Sequence, residues 1–118
     1  MESQGGLFEI LAKIKARPGM YIGHPSLSDL FVFLAGYKTA RRELGIKPTD
    51  RELEFYDNFH EFVQNHYQIY SSSSWAKIIG CYCQGEIQGF DRFFELLAEF
   101  ETRSKNLQQP TCQQHSAS

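Results

Sequence analysis

SLSDLFVFLAGYKTARRELG, residues 26–45, carries the clearest secondary-structure signal in the chain. Its apolar side chains recur at helical spacing and give way to cations near the end, where positive charge suits the negative end of a helix dipole. Ser26 stands where an N-cap belongs, and Gly45 stands where helices commonly terminate. The stretch therefore predicts a long amphipathic helix over residues 27–44, and an all-α fold built around it.

Four other segments share this helical periodicity, with apolar residues on one face and charged residues between them. They predict helices over residues 7–15, 50–67, 75–83 and 86–103. The fourth predicted helix, residues 75–83, is also short and apolar enough to be a strand. The sequence thus predicts a mainly α, compact bundle of about five helices, with a proline- and glycine-rich loop after the first helix.

Length and composition are typical of one globular domain. A chain of 118 residues can bury a hydrophobic core without staples. Residues 1–103 are predicted to form the helical domain, and residues 104–118, which are rich in Gln, Ser and Thr, to form a disordered tail. No signal peptide or membrane span is visible, and three cysteines do not form a disulfide framework, so we expect a cytoplasmic protein.

Charge is distributed unevenly along the chain. Residues 1–51 contain eight Lys or Arg and five Asp or Glu, whereas residues 52–118 contain four and nine. Nucleic-acid-binding proteins usually concentrate positive charge on one face, and the acidic half would repel phosphate. We therefore do not expect a nucleic acid as partner, and the lack of a long apolar stretch gives no reason to expect a membrane.

The loop after the first helix is the most distinctive motif. It reads RPGMYIG over residues 17–23, and together with the preceding helix it resembles a segment of the ATPase domain of type II DNA topoisomerases, the gyrase B family. That family uses a glutamate and an asparagine in the next helix, a later Asp-x-Gly-x-Gly motif and a glycine-rich lid. Residues 31–43 contain no Glu–Asn pair, and the later motifs are absent. Without a metal ligand and a water-activating base, we expect no ATPase activity and no cofactor.

A wider resemblance covers residues 7–100. The loop, the helix ending at Gly45, and the strings FHEF (59–62), SWA (74–76) and FFELL (93–97) occur in an order that looks like a group of small, uncharacterised bacterial proteins. Those proteins are similar in size and distribution to the immunity proteins of bacterial toxin systems. The resemblance implies a non-enzymatic protein-binding module, an immunity-type inhibitor of a toxin.

Two sets of residues are candidates for binding. An acidic patch with a tryptophan hot spot would suit a basic partner protein, and its residues are Trp75, Asp57, Glu61, Asp91, Glu95 and Glu99. The competing interpretation places the tryptophan in the core and leaves the carboxylates as a solvated surface. In the alternative function, a small-ligand or nucleotide-binding module, the loop would hold an anion without hydrolysis through Arg17, Gly19, Tyr21, Gly23 and His24. A homo-oligomer joined by surplus aromatic residues is the third alternative.

The cysteines and histidines indicate no reaction centre. Cys81 and Cys83 form a Cys-x-Cys motif, but no second Cys or His pair lies at zinc-ligand spacing. A nucleophilic pair of Cys83 with His60 would need an orienting third group, which nothing in the sequence indicates. Cys112 falls in the predicted tail. The sequence therefore predicts free thiols and no catalytic or metal-binding residue.

Overall fold

The computed structural model describes residues 6–108, with side chains described as far as Arg103. Six helices and no strand occur in this range, which confirms the all-α prediction and shows the Trp75 segment to be helical. None of these helices is long and apolar enough to cross a membrane. The helices are α1 (Leu7–Ala16), α2 (Pro18–Tyr21), α3 (Leu27–Glu43), α4 (Asp50–Tyr67), α5 (Trp75–Cys81) and α6 (Glu86–Gln108).

Polar side chains cap the starts of three helices. Ser26 Oγ accepts a hydrogen bond from the Asp29 N–H at the start of α3, and Ser74 caps α5 in the same way. At the start of α4, Thr49 Oγ1 accepts from the Glu52 N–H at 3.2 Å, while Glu52 Oε1 accepts from the Thr49 N–H at 3.0 Å. This reciprocal capping box satisfies two backbone donors that the helix cannot satisfy itself.

Three helices differ from the prediction by more than one residue, and the smallest of these differences is in α5, which ends at Cys81 instead of residue 83. The loop contains the four-residue helix α2, because Pro18 at its first position has a φ angle already suited to a helix and lacks only an N–H that would be unpaired there. The helix predicted to end at Arg103 continues to Gln108, through Lys and Leu residues that favour helix. Residues 109–118 of the predicted tail lie outside the described residues.

The core is mainly aromatic, and Phe59 lies at its centre with 1% of its surface exposed. Its ring stacks on Phe55 at 4.8 Å between centroids and meets Phe93 and Phe100 edge-on, both at 5.5 Å. Edge-to-face and offset contacts of this kind add to the stabilisation from burial alone. These ring contacts join α4 and α6. Helix α1 covers the core with three aliphatic side chains, Leu7, Leu11 and Ile14.

The N-terminal end of α3 packs very closely on α6. A Cβ atom on Gly89 would lie 2.8 Å from Leu27 Cδ2, so only glycine fits there without movement. Beside this contact, the Glu86 carboxylate accepts hydrogen bonds from the N–H and the hydroxyl of Ser28, both at 2.8 Å. These bonds, the backbone one first, lower the pKa of Glu86. This end of α3 is packed tightly on α6 at Gly89, and a cavity of about 310 Å³ lies beside the contact, lined by α3, α5 and the start of α6.

Candidate functional site

The C-terminal end of α3 leaves an open cleft against α4. It has a volume of about 410 Å³ and lies between the last turns of α3, the connection to α4 and the first turns of α4. That volume falls within the range of protein pockets that hold small molecules. The lining residues are Lys38, Arg41, Arg42, Gly45, Ile46, Lys47, Pro48, Glu52, Leu53, Tyr56 and Asp57.

One buried carboxylate holds this end of the molecule together. Glu52 is 1% exposed, and its Oε2 accepts from the Leu7 N–H at 2.8 Å and from Arg41 Nη1 at 2.9 Å. Burial alone would raise the pKa of Glu52, but the hydrogen bonds from Leu7, Arg41 and Thr49 outweigh it and hold this pKa below its usual value. The bond to Glu52 in turn raises the pKa of Arg41. Because all these partners are internal, Glu52 has a structural role.

Unpaired positive charge gathers on the rim of the cleft. The Lys38 ammonium lies 4.5 Å from the centre of the Tyr56 ring, a cation–π contact. The side chains of Arg42 and Lys47 are exposed and make no hydrogen bond or ion pair within residues 6–103. Asp57 is the one lining carboxylate besides the buried glutamate. The lining as a whole therefore has more positive than negative charge.

Exposed aliphatic side chains accompany these cations. Ile46 and Leu53 line the cleft with 45% and 41% of their surface exposed, and Leu44 beside it is 75% exposed. Single apolar residues on a surface are ordinary, whereas grouped ones around a concavity are typical of a contact surface. The cleft thus combines apolar area with a cationic rim.

Two of the three acidic residues predicted on α6 lie beside a basic side chain of the same chain. Glu95 Oε1 accepts from Arg92 Nε at 2.9 Å, and Glu99 Oε1 lies 4.0 Å from His66 Nδ1. The Asp91 side chain is exposed and has no hydrogen bond or ion pair within residues 6–103. Two of these three carboxylates are therefore beside a basic group that reduces their attraction for a basic partner.

The other members of the predicted patch lie elsewhere. Asp57 lines the cleft, and Glu61 is exposed one helical turn further along α4. Trp75 packs in the aromatic core, where it stacks on Phe93 at 4.9 Å and meets Phe59 edge-on at 5.4 Å. The core interpretation of Trp75 is therefore the one that its surroundings favour.

The predicted ligand loop is folded on itself. The Met20 N–H donates to the Arg17 carbonyl at 3.0 Å, and the Ile22 N–H donates to the Pro18 carbonyl at 2.8 Å. Tyr21 and Ile22 pack against the core, whereas Met20 is 68% exposed, because the α2 turn directs it outward. Two amides of the loop are thus already used by its own carbonyls.

The remaining loop candidates have separate surroundings. Gly23 has a φ of +90°, a left-handed conformation that favours glycine, and Gly19 is exposed with nothing within 4 Å of its Cβ position. His24 Nε2 lies 2.7 Å from Asp29 Oδ2 on the first turn of α3. Arg17 Nη1 contacts Met20 Sδ at 3.9 Å. These contacts shape a tight turn.

The described cysteines carry free thiols. Cys81 is exposed and Cys83 is half-buried, and burial raises the pKa of the Cys83 thiol, which disfavours the reactive thiolate. No group of three or more His, Cys, Asp or Glu side chains that could hold a metal ion occurs within the part of the chain that the structure describes. Cys112 lies outside it.

Sequence reasoning missed the cleft, although part of its signal is local. The pattern Thr49-x-x-Glu52 is a capping-box signature, and it could have identified the start of α4 more sharply. The burial of Glu52 has no such signal, because its partners Leu7 and Arg41 come from other helices. In the sequence, Arg42 and Lys47 cannot be distinguished from the exposed basic residues that commonly lie near the end of a helix.

Comparison with known proteins gives no relative from which the site could be inferred. The chain matches no protein-family model, no curated protein and no solved structure. The cleft between α3 and α4 combines a concavity with two unpaired cations and with exposed apolar side chains, whereas a smaller cavity of about 310 Å³ beside α5 has one such cation, Lys77, and one such apolar side chain, Val32.

Proposed function

We propose that this chain is a non-enzymatic protein-binding module that contacts its partner through the cleft between α3 and α4. The observation that carries this proposal is the exposure of Leu44, Ile46 and Leu53 beside cations that have no acidic partner. A partner that covers these side chains removes apolar surface from water, which favours association. The cations would add orientation and specificity.

A protein fits this surface better than a small molecule does. Ile46 and Leu53 line the cavity, but Leu44 lies outside it and is the most exposed of the three. A ligand confined to the cavity would leave Leu44 in water, whereas a protein surface can cover the cavity and its surroundings together. The apolar area outside the cavity therefore supports a macromolecular partner.

The finer form of the proposal is an immunity-type inhibitor of a bacterial toxin. It is supported by the resemblance over residues 7–100, and an inhibitor that acts by covering a surface needs no catalytic group. Co-expression with the protein encoded beside its gene tests this form directly. We expect the chain to restore growth of a bacterial host that the neighbouring protein arrests. Growth arrest that the chain leaves unchanged would contradict it.

Capture with matched variants tests the module itself. Ile46→Ser combined with Leu53→Ser removes apolar contact from exposed positions, while Val32→Ser makes a similar change at a 67% exposed site outside the cleft. We expect a specific protein from the native host to be retained by the wild type and by Val32→Ser, and lost by the double variant. Circular dichroism checks that all three are folded. Equal retention by all three would place the contact elsewhere.

A small-ligand module is the second candidate, and the volume of the cleft, about 410 Å³, is what favours it. The loop at residues 17–23 is the other location for such a ligand. A thermal-shift screen against nucleotides and small carboxylates distinguishes the two. Stabilisation lost in Lys47→Ala would indicate the cleft, and stabilisation lost in Arg17→Ala would indicate the loop.

A further inference from the structure

We infer that the segment of the partner that enters the cleft is acidic and amphipathic, with an aliphatic side chain in the cavity and flanking carboxylates paired with Arg42 and Lys47. The inference rests on the proposed function, because it takes the cleft as the contact surface. It adds the chemical class of the partner, which is opposite in charge to the basic protein that the acidic patch in the sequence predicts.

Two cations that line the cleft already have partners inside the protein. Arg41 is bonded to Glu52 inside the protein, and the Lys38 ammonium lies over the Tyr56 ring. That leaves Arg42 and Lys47, both exposed and without an ion pair among the described side chains. Asp57, on the α4 wall, is the only other charged lining residue.

The helix dipoles do not change this sign. The negative end of α3 and the positive start of α4 both adjoin the connection that forms one wall of the cleft. Their partial charges are opposite and of similar size, so they largely offset each other. Side-chain charge therefore decides which partner is attracted, and two free cations against one carboxylate favour an anionic segment.

The apolar part of the cleft sets the second requirement. Ile46 lies between the two cations in sequence, and Leu53 faces the cavity from the first turns of α4. An aliphatic side chain placed between Ile46 and Leu53 would have its neighbours along the partner chain within reach of the rim. A segment that alternates aliphatic and acidic residues satisfies both requirements, whereas a purely acidic segment would leave the apolar side chains of the cavity in contact with water.

Selection from a displayed library of random linear peptides tests the inference without assuming a partner. We expect the wild-type protein to enrich peptides that combine Leu, Ile or Val with Glu or Asp. Fluorescence anisotropy then gives the Kd of the best peptide. We expect Arg42→Glu and Lys47→Glu each to weaken binding about fivefold or more, as loss of an attraction and gain of a repulsion predict. Lys77→Glu makes the same charge change on α5, and should leave the Kd unchanged.

The outcomes separate this inference from the proposed function. If the enriched peptides are basic or neutral and lose binding in Leu53→Ser, the cleft is a binding site and the acidic partner is wrong. If the enriched peptides bind Leu53→Ser and Arg42→Glu as tightly as the wild type, the cleft is not the contact surface and both proposals are wrong. A selection that enriches no peptide dependent on Leu53 also overturns both.

Discussion

At each end of α3, a glutamate from another helix accepts a hydrogen bond from an α3 residue, yet the two ends differ in packing and burial. At the N-terminal end, α6 approaches so closely that Gly89 has no room for a side chain, and the Glu86 carboxylate that joins the helices is exposed. At the C-terminal end, the Glu52 carboxylate is buried, and a cleft remains beside it. At the N-terminal end, the close contact of Gly89 with the Leu27 side chain joins the helices, so we expect the exposed carboxylate to add little. At the C-terminal end, one buried carboxylate bonds to α1, to α3 and to the start of α4, and the cleft beside it is available to a partner.

Removing the buried carboxylate should have the largest effect. Glu52→Gln removes the charge that pairs with Arg41 and weakens the acceptor for the Leu7 N–H. Breaking a buried ion pair by removing one partner destabilises a protein by about 3–5 kcal/mol. We expect a decrease of that size in the free energy of unfolding, measured by urea titration followed by circular dichroism.

An exposed pair provides the control for Glu52. Glu101 Oε2 accepts from Arg51 Nη2 at 2.6 Å, and the Arg51 side chain is 59% exposed. Glu101→Gln should lower the free energy of unfolding by less than about 1 kcal/mol, as for other surface pairs. Equal effects of the two substitutions would show that burial of Glu52 does not matter.

The next largest effect is expected at the N-terminal end of α3, where Gly89 packs against Leu27. An alanine at position 89 places its Cβ 2.8 Å from Leu27 Cδ2 and 3.1 Å from Leu27 Cβ. Overpacking of this kind costs about 1–3 kcal/mol, from which the better helix propensity of alanine recovers about 1 kcal/mol. We expect Gly89→Ala to lower the melting temperature, and Leu27→Ala in the same chain to lower it less than the sum of the two single changes.

Gly36 supplies the opposite result on α3. It lies inside the helix, is exposed, and has nothing within 4 Å of its Cβ position. Gly36→Ala should therefore raise the free energy of unfolding by up to about 1 kcal/mol. A destabilising Gly36→Ala would mean that helix propensity does not govern this exposed face.

Acid should weaken both ends of α3. The pKa values of Glu52 and Glu86 are lower in the folded protein than in the unfolded chain, so the unfolded chain binds protons first as the pH falls. Their stabilisation is present at neutral pH and is lost progressively below about pH 5. Urea midpoints followed downward from neutral pH should fall less steeply in Glu52→Gln and in Glu86→Gln than in the wild type, because each variant lacks one carboxylate whose pKa is lowered by folding. Parallel curves for all three would contradict the ionised state of Glu52.

The smallest effect is expected at the exposed bonds of Glu86. Ser28→Ala removes one hydroxyl hydrogen bond to the carboxylate but keeps the backbone bond. A single exposed hydrogen bond contributes about 0.5 kcal/mol or less, so the melting temperature should fall by no more than about 2–4 °C. A larger fall would mean that the packing of α3 on α6 depends more on this carboxylate than on the Leu27–Gly89 contact.

The sequence predicts those parts of the fold that depend on neighbouring residues. Ser26 and Ser74 were identifiable as caps because a cap bonds to an amide three residues away. The four-residue helix α2 was missed because Pro18 and Gly19 are also typical of an irregular loop. The candidate site was missed for a different reason: Glu52 stands in a helix of many charged residues, and only the positions of other helices bury it.

The bond between Glu52 and the Leu7 N–H has a consequence for dynamics. The first amides of a helix ordinarily lack an intrahelical acceptor and exchange their hydrogen with solvent readily. The Leu7 amide instead closes a loop of 45 residues onto a buried oxygen. Its exchange rate therefore reports how often α1 separates from the α3–α4 end, and an occupant of the cleft that steadies this end would slow it from a distance.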